Sequence, residues 1–146
     1  MRERSNQKTV KGASGARRMT PQTTAYTIPC LPKSLNQFAG RGNVWAYREE
    51  KKRWKELCAV YCKPCPSQPV KGALVTLFFY FADRRRRDVD NLAKAVLDGL
   101  VACGVLEDDC YQCIDLLLQG GYDKQNPRTE IYIQERDNAE IYSGKV

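Results

Sequence analysis

Residues 72–103 read GALVTLFFYFADRRRRDVDNLAKAVLDGLVAC and contain the two clearest structural signals in the chain. Gly72 to Ala82 is rich in β-branched and aromatic residues, which predicts a central strand. Asn91 to Cys103 places leucine and valine on one face at helical spacing, which predicts an amphipathic helix. Asp90 is a natural N-cap for that helix, and Gly104 stands where a helix end favours a left-handed residue.

Weaker signals extend this pattern on both sides. Ala25 to Cys30 is expected to be a short strand, and Val44 to Cys62 a helix. Two more strands are expected at Cys110 to Gln119 and Arg128 to Glu135, joined by Gly120-Gly121 and a loop. The order β-α-β-α-β-β indicates a single α/β (α+β) domain with one mixed four-stranded sheet and two main helices. The apolar face of the first helix is formed by Trp54, Leu57, Cys58 and Tyr61.

The composition suits a soluble globular protein with one domain. The chain has 146 residues, of which 42% are hydrophobic and 28% are charged. Its longest apolar run is far shorter than the ~20 residues that cross a bilayer, so no membrane association is expected. Residues 1–18 lack the apolar core of a secretory signal, which makes a cytoplasmic location the expectation.

The net charge of +7 is concentrated at the N-terminus. Residues 1–18 carry six cations and one anion, whereas the remaining residues carry 18 cations and 16 anions. We therefore expect residues 1–20 to be a basic disordered tail and residues 21–146 to form the folded domain. Nucleic-acid binding has to be argued from where charges cluster, with the tail as an electrostatic arm.

Histidine is absent from the chain, and this excludes several kinds of catalytic site. Neither a Ser-His-Asp triad nor a Cys-His nucleophile is available. The seven cysteines are expected to be mostly free thiols in a reducing compartment. Two CxxC pairs, Cys62-Cys65 and Cys110-Cys113, leave a structural zinc site as the less favoured alternative, because 44 residues separate them.

Carboxylates and cations are concentrated around the start of the second helix. Aspartates suit Mg²⁺ or Mn²⁺, and guanidinium groups suit phosphate. If residues 87–90 are extended, Asp88 and Asp90 project to one side and Val89 points into the core. The simpler interpretation makes Asp90 a cap and Asp88 a solvated loop residue. The candidate phosphate contacts are Arg84, Arg85, Arg86 and Arg87, with Lys51, Lys52 and Lys55 on the first helix.

Lys94 and Asp98 follow Asp90 at one-turn intervals and form a polar stripe on the helix. Lys94 could stabilise charge on a phosphate, or the stripe could be an ordinary ladder of surface ion pairs. Asp98 is expected to be a supporting residue rather than a ligand. Asp108 and Asp109 are either a plain acidic turn or further ligands for an ion held by Asp88 and Asp90.

The whole run resembles the RusA family of Holliday-junction resolvases. The matching residues are Asp88-x-Asp90-Asn91-x-x-Lys94, Asp98-Gly99-Leu100, Gly104-Val105 and Asp108-Asp109, with Pro32-x-Ser34-Leu35-Asn36 upstream. The resemblance spans about residues 26–135. It implies a homodimeric endonuclease that needs Mg²⁺ or Mn²⁺ and nicks four-way DNA junctions symmetrically, in recombination and repair, without a small-molecule cofactor. The catalytic carboxylates would be Asp88, Asp90 and Asp109, with Asp108 a further candidate ligand, Lys94 the essential cation and Asn91 in support.

Where Asp109 acts is left open by chain geometry. A helix over residues 91–103 is about 20 Å long, and the six residues that follow span at most about 20 Å. Asp109 therefore meets Asp88 and Asp90 only if the chain reverses sharply at Gly104. Otherwise the partner subunit of a dimer supplies it.

Four other functions compete with junction resolution. One is a non-catalytic DNA-binding or architectural module, in which the carboxylates serve as caps and ion pairs. Another is a metal nuclease with broader specificity for branched DNA. The pattern Glu50-Lys51-Lys52 fits the ExK motif of restriction-type nucleases, but it lies in an expected helix rather than a strand. The last is an interaction domain held together by zinc.

Overall fold

A computed structural model describes residues 23–34 and 44–136. In chain order the elements are β1 (Thr23–Ile28), α1 (Val44–Tyr61), β2 (Ala73–Phe81), α2 (Asp90–Ala102), β3 (Ile114–Tyr122) and β4 (Arg128–Glu135). The order and the number of elements confirm the fold expected from the sequence. The basic tail, Leu35-Asn36 and the glycine-rich segment at residues 40–43 lie outside the described residues.

The four strands form one mixed sheet in the order β1-β4-β2-β3. β4 is antiparallel to both β1 and β2, whereas β2 and β3 are parallel and are connected through α2. Parallel neighbours need such a crossover, because a tight turn cannot bring the chain back to the same end of the sheet. The arrangement leaves β3 at one edge and β1 at the other.

The core lies between one face of the sheet and the two helices. Alternate residues of β2, from Ala73 to Phe81, are buried, whereas those between them are half-buried. Strand residues alternate between the two faces, so only one face of β2 is fully covered. α2 buries seven of its residues: Leu92, Ala93, Ala95, Val96, Leu97, Gly99 and Leu100.

Four details of the expected secondary structure were wrong. β1 lies two residues earlier than expected, at Thr23–Ile28. Cys110 to Cys113 forms a turn, because the amides of Cys113 and Ile114 both donate to the carbonyl of Cys110. Gly120-Gly121 belongs to β3, where both glycines pair with β2.

Tyr61 is 41% exposed because it is the last residue of α1, while Glu50 joins Trp54 and Cys58 on the buried face.

Gly104 ends the second helix as expected. Its φ of 90° lies in the region that glycine adopts without steric cost. The amides of Val105 and Leu106 then both donate to the carbonyl of Leu100, which turns the chain back along the helix. No helix in the described ranges is both long and apolar enough to cross a membrane.

The two helices cross closely at Gly99. A Cβ atom added there would lie 2.7 Å from the Cys58 sulfur and 2.7 Å from the Trp54 carbonyl oxygen. We expect Gly99→Ala to lower the free energy of unfolding by about 1–3 kcal/mol, because the backbone of α1 has to move. Urea denaturation measures this change.

Gly120→Ala is the matched control. A Cβ at Gly120 would meet the Val89 side chain at 3.4 Å, which is an ordinary contact. Its expected effect is below ~1 kcal/mol, within the range of surface substitutions. Equal stability of the two variants would contradict the close crossing at Gly99.

Candidate active site

The start of α2 differs from the expected geometry. The amide of Asn91 donates to the carbonyl of Asp88, and the amide of Leu92 donates to the carbonyl of Val89. Val89 already has helical angles, φ −65° and ψ −24°, and no side chain caps the helix. The expectation that Asp90 is the N-cap was therefore wrong, and the extended geometry that would place Asp88 and Asp90 on one side does not form at Val89. Val89 packs against the core, as expected.

The carboxylates of Asp88 and Asp90 are both exposed to solvent. Within the described residues, neither has a hydrogen-bond or ion-pair partner. Asp90 stands in the first turn of α2, where the unpaired backbone amides favour negative charge. The structure thus gives these two side chains no capping or ion-pairing role in the described part of the chain.

A cavity of about 580 Å³ lies beside Asp88. It brings together two parts of the sequence that are more than 50 residues apart, the Pro32-x-Ser34 segment and the start of α2. Basic side chains make up much of the lining. The lining residues are Leu31, Pro32, Lys33, Ser34, Phe81, Arg85, Arg86, Arg87, Asp88, Asn91 and Leu92. We call this space the arginine cavity.

Three of the four consecutive arginines are held in place by neighbours. Arg85 and Arg87 contact Asp83, with an Arg87 Nη1 to Asp83 Oδ1 distance of 2.7 Å. The hydrogen bond from Arg87 lowers the pKa of the Asp83 carboxyl well below its usual range. Arg87 also stacks over Phe81 at 4.5 Å, and Arg84 over Tyr122 at 4.1 Å. Arg86 is exposed and has no such partner among the described residues.

A second recess, of about 350 Å³, is lined by residues further along α2. The Lys94 ammonium lies 3.2 Å from Asp98 Oδ1 and 3.4 Å from Asp109 Oδ2. The Lys51 ammonium lies 3.3 Å from Asp98 Oδ2. The residues that line this recess are Lys51, Lys55, Lys94, Asp98, Val101, Ala102, Asp108 and Asp109. We call this space the lysine recess.

The opposite charges in the lysine recess stabilise one another. The hydrogen bond that the Lys94 ammonium donates to Asp98 raises the pKa of Lys94, together with the charge of Asp109, so the ammonium stays protonated at neutral pH. Asp108 accepts a hydrogen bond from the Asp109 amide at 2.8 Å, which fixes the acidic turn. The arrangement holds a cation beside two carboxylates, one turn beyond the start of α2.

The structure brings together only part of the expected carboxylate set. Asp109 reaches Lys94 within the same chain, because the backbone reverses at Gly104. Asp88 lines the arginine cavity instead, and Asp90 lines neither space. Over residues 23–34 and 44–136, no three acidic or thiol side chains form a group suited to a metal ion. Lys52 is exposed and lies outside both linings, unlike Lys51 and Lys55.

The seven cysteines are free thiols, as expected. Cys62 is buried and lies near Cys58 and Cys103 between the two helices, whereas Cys65 is exposed. Cys110 and Cys113 face each other across their own turn, with sulfurs 3.6 Å apart. These separate groupings give no support to a zinc site built from the two CxxC pairs.

Glu50 supports the arginine cavity, and sequence reasoning missed this role. It is 3% exposed, and it accepts hydrogen bonds from the Lys33 amide at 2.8 Å, from Arg53 at 3.0 Å and from the Trp54 indole at 3.1 Å. Glu50 thereby fixes the Pro32-x-Ser34 segment against α1. A sequence signal existed, because Glu50 precedes the buried Trp54 and Cys58 at intervals of four residues.

A family model described as endodeoxyribonuclease RusA matches residues 28–134. The match covers most of the chain and includes the arginine cavity, the lysine recess and every aspartate discussed above. No curated protein matches the chain at a significant level.

Proposed function

The chain belongs to the RusA family of endodeoxyribonucleases, and we propose that it resolves four-way DNA junctions as a homodimer in the cytoplasm, in recombination and repair. We further propose that cleavage requires Mg²⁺ or Mn²⁺. One observation carries the proposal: the Pro32-x-Ser34 segment and the Asp88-x-Asp90-Asn91 segment meet at a cavity lined by arginines. Two of the segments that resemble the RusA family thus lie on the same surface.

The charge distribution of that surface suits a phosphate backbone. Arg85, Arg86 and Arg87 line the cavity beside Asp88, and guanidinium groups match phosphate in shape and charge. Contacts of this kind hold DNA without reading its bases. They favour a nuclease that recognises the form of its substrate, which is what junction cleavage requires.

Asp88 and Asp90 are the carboxylates that we propose to hold the metal ion. Their side chains have no partner within the described residues, so their oxygens are available as ligands. Mg²⁺ commonly binds one or two carboxylates and completes its shell with water and substrate phosphate, so two available aspartates fit it. When bound, the ion would lower the pKa of a water molecule and neutralise charge on the scissile phosphate.

Lys94 is proposed to stabilise negative charge on the phosphate that is cut. Asp98 and Asp109 hold its ammonium from two sides at 3.2 and 3.4 Å. A cation fixed in place before the substrate arrives stabilises developing charge without first having to reorganise. Asp98, which also contacts Lys51, is proposed as a positioning residue for Lys94.

We propose that Asp109 acts on the same chain as Asp88 and Asp90. The ion pair with Lys94 supports this, because Lys94 lies one helical turn from Asp90. A two-fold dimer then carries two complete sites, which suits paired cuts in a junction of two-fold symmetry.

Mixed dimers test the placement of Asp109. Asp88→Asn and Asp109→Asn subunits are unfolded together, refolded and assayed on a four-way junction. We expect no more cleavage than either variant gives alone, since every site would lack one carboxylate. Recovered cleavage would show that the partner subunit supplies Asp109.

The primary test compares a synthetic four-way junction with a linear duplex of matched sequence. We expect paired nicks in the junction with Mg²⁺ or Mn²⁺, and no cleavage with EDTA. Equal cutting of both substrates would remove the junction specificity but keep the nuclease. Tight binding with no cleavage at any metal concentration would instead favour the non-catalytic DNA-binding module.

Arg86 is expected to contribute one phosphate contact. We expect Arg86→Ala to reduce the slope of log affinity against log salt by about 0.9, the value for one lost contact with duplex DNA. Fluorescence anisotropy without divalent metal measures this slope. Lys71→Ala removes an exposed cation outside both spaces and serves as the control. An equal change in the two variants would contradict the role of the arginine cavity.

A further inference from the structure

The turn that follows Asp109 contains two thiols in contact. The amide of Cys113 donates to the carbonyl of Cys110 at 2.9 Å, which closes a turn over four residues. Such a turn brings its first and last Cα atoms within about 7 Å, and disulfides span about 4.4–6.8 Å. The two sulfurs are 3.6 Å apart. Backbone and side chains therefore both place this pair near the geometry of a disulfide.

The two cysteines differ in how firmly they are held. Cys113 is 5% exposed, and its carbonyl accepts hydrogen bonds from the amides of Gly72 and Ala73 at 2.8 and 3.0 Å. It is thus fixed to the beginning of β2. Cys110 is half-buried and directly follows Asp109. When the sulfurs approach each other, Cys110 is the residue that has to move.

We propose that Cys110 and Cys113 form a reversible disulfide under peroxide, and that this bond displaces Asp109 from Lys94. The inference rests on the proposed function for its consequence, which is loss of DNA cleavage. The bond itself depends only on the turn. No other part of the proposed site has to change.

The reaction is balanced with hydrogen peroxide as the oxidant. The more accessible Cys110 sulfur, as thiolate, attacks one peroxide oxygen, the O–O bond breaks, and water leaves after taking up the thiol proton. The resulting sulfenic acid is attacked by the Cys113 sulfur, the S–O bond breaks, and a second water carries away the Cys113 proton. Two thiols thereby lose two electrons and two protons, and the peroxide becomes two waters.

Formation of the bond shortens the distance between sulfurs from 3.6 Å to about 2.05 Å. Asp109 is joined to Cys110 by one peptide bond, and its contact with Lys94 is already long at 3.4 Å. A shift of about 1 Å at a catalytic group can lower the rate about a hundredfold. The disulfide is therefore placed to reduce cleavage while the core stays intact.

The experiment treats the full chain with hydrogen peroxide and maps disulfides by peptide mass spectrometry. In parallel, junction cleavage is measured before oxidation, after oxidation and after addition of dithiothreitol. We expect a Cys110–Cys113 disulfide, a fall in cleavage of at least about tenfold, and recovery on reduction. Cys110→Ser should keep its activity under peroxide. Cys65→Ser, which removes the exposed thiol outside this turn, should respond as the wild type does.

The outcomes separate this inference from the proposed function. If the Cys110–Cys113 disulfide forms without any change in DNA cleavage, the proposal that it displaces Asp109 from the site is rejected. If peroxide oxidises Cys65 or the thiols between the helices but leaves Cys110 and Cys113 reduced, the proposed disulfide is rejected. If the reduced protein cuts no DNA, the proposed function fails, while the mass mapping still decides whether the thiols pair.

Discussion

Asp90→Asn is expected to reduce metal-dependent cleavage of a four-way junction by more than about a hundredfold. Even residues that only orient metal ligands contribute about 10–100-fold, and Asp90 is proposed to be a ligand itself. The amide of asparagine has nearly the same size, but it lacks the charge that attracts the ion. Single-turnover cleavage with excess enzyme measures the effect on the chemical step.

The structure separates this loss from unfolding. The Asp90 carboxylate is exposed and makes no capping bond, so its replacement removes no described contact. The thermal midpoint and the affinity for the junction without divalent metal should stay close to those of the wild type. Glu56→Gln removes an exposed carboxylate on α1, outside both spaces, and should retain full cleavage. Unchanged cleavage by Asp90→Asn would reject the proposed metal site.

Glu50→Leu is expected to lower the free energy of unfolding by about 3 kcal/mol, the scale for breaking a buried charged pair. The substitution leaves the buried Trp54 indole without its acceptor, which costs about 1–3 kcal/mol. The part-buried Lys33 amide loses its acceptor as well. Arg53 is partly exposed and can be solvated instead, which limits the total. Glu50→Gln keeps one acceptor oxygen and should lose less. Urea denaturation at neutral pH measures both variants.

At acidic pH, the difference in the free energy of unfolding between the wild type and Glu50→Gln should become much smaller. Burial opposes ionisation of Glu50, but hydrogen bonds from Arg53 and the Lys33 amide outweigh burial and lower its pKa below 4.5. A carboxyl whose pKa is lower in the folded state contributes stability above its unfolded pKa and loses it as pH falls through the folded value. The gap in stability between wild type and Glu50→Gln should therefore narrow below about pH 4.5. A constant gap down to pH 3 would contradict the charged role of Glu50.

The fold was predictable where a long segment carried one clear pattern. β2 and α2 each combine an apolar run or face with breakers on both sides, so the structure moves their limits by only one residue. The sheet order was not predictable, because β1 pairs with a strand more than 100 residues away and local sequence does not encode that choice. Gly120-Gly121 looked like a turn because the pairing that keeps it extended comes from β2.

Part of the geometry of the candidate site was predictable from the sequence. Lys94, Asp98 and Asp109 meet as their spacing and the glycine at residue 104 allowed. A shared side for Asp88 and Asp90 depended on an extended segment, and this geometry does not form because Val89 adopts helical angles. The role of Glu50 was missed because a charged residue inside a basic helix usually lies on the protein surface. Its buried role follows only from the hydrogen bonds that it accepts from the Lys33 amide and the Trp54 indole.

The position of β4 has a consequence for synthesis of the protein on the ribosome. β1 is made early, yet its only strand partner in the described sheet is β4, and the segment from Arg128 to Glu135 is the last part of that sheet to be made. Tyr26 and Ile28 therefore have no partner in the described sheet until β4 has emerged. Contacts so distant in sequence slow folding, and an unpaired strand in a nascent chain is open to misassociation. A polypeptide that stops before Arg128 would hold every proposed catalytic residue and still lack the strand that joins β1 to β2 and β3.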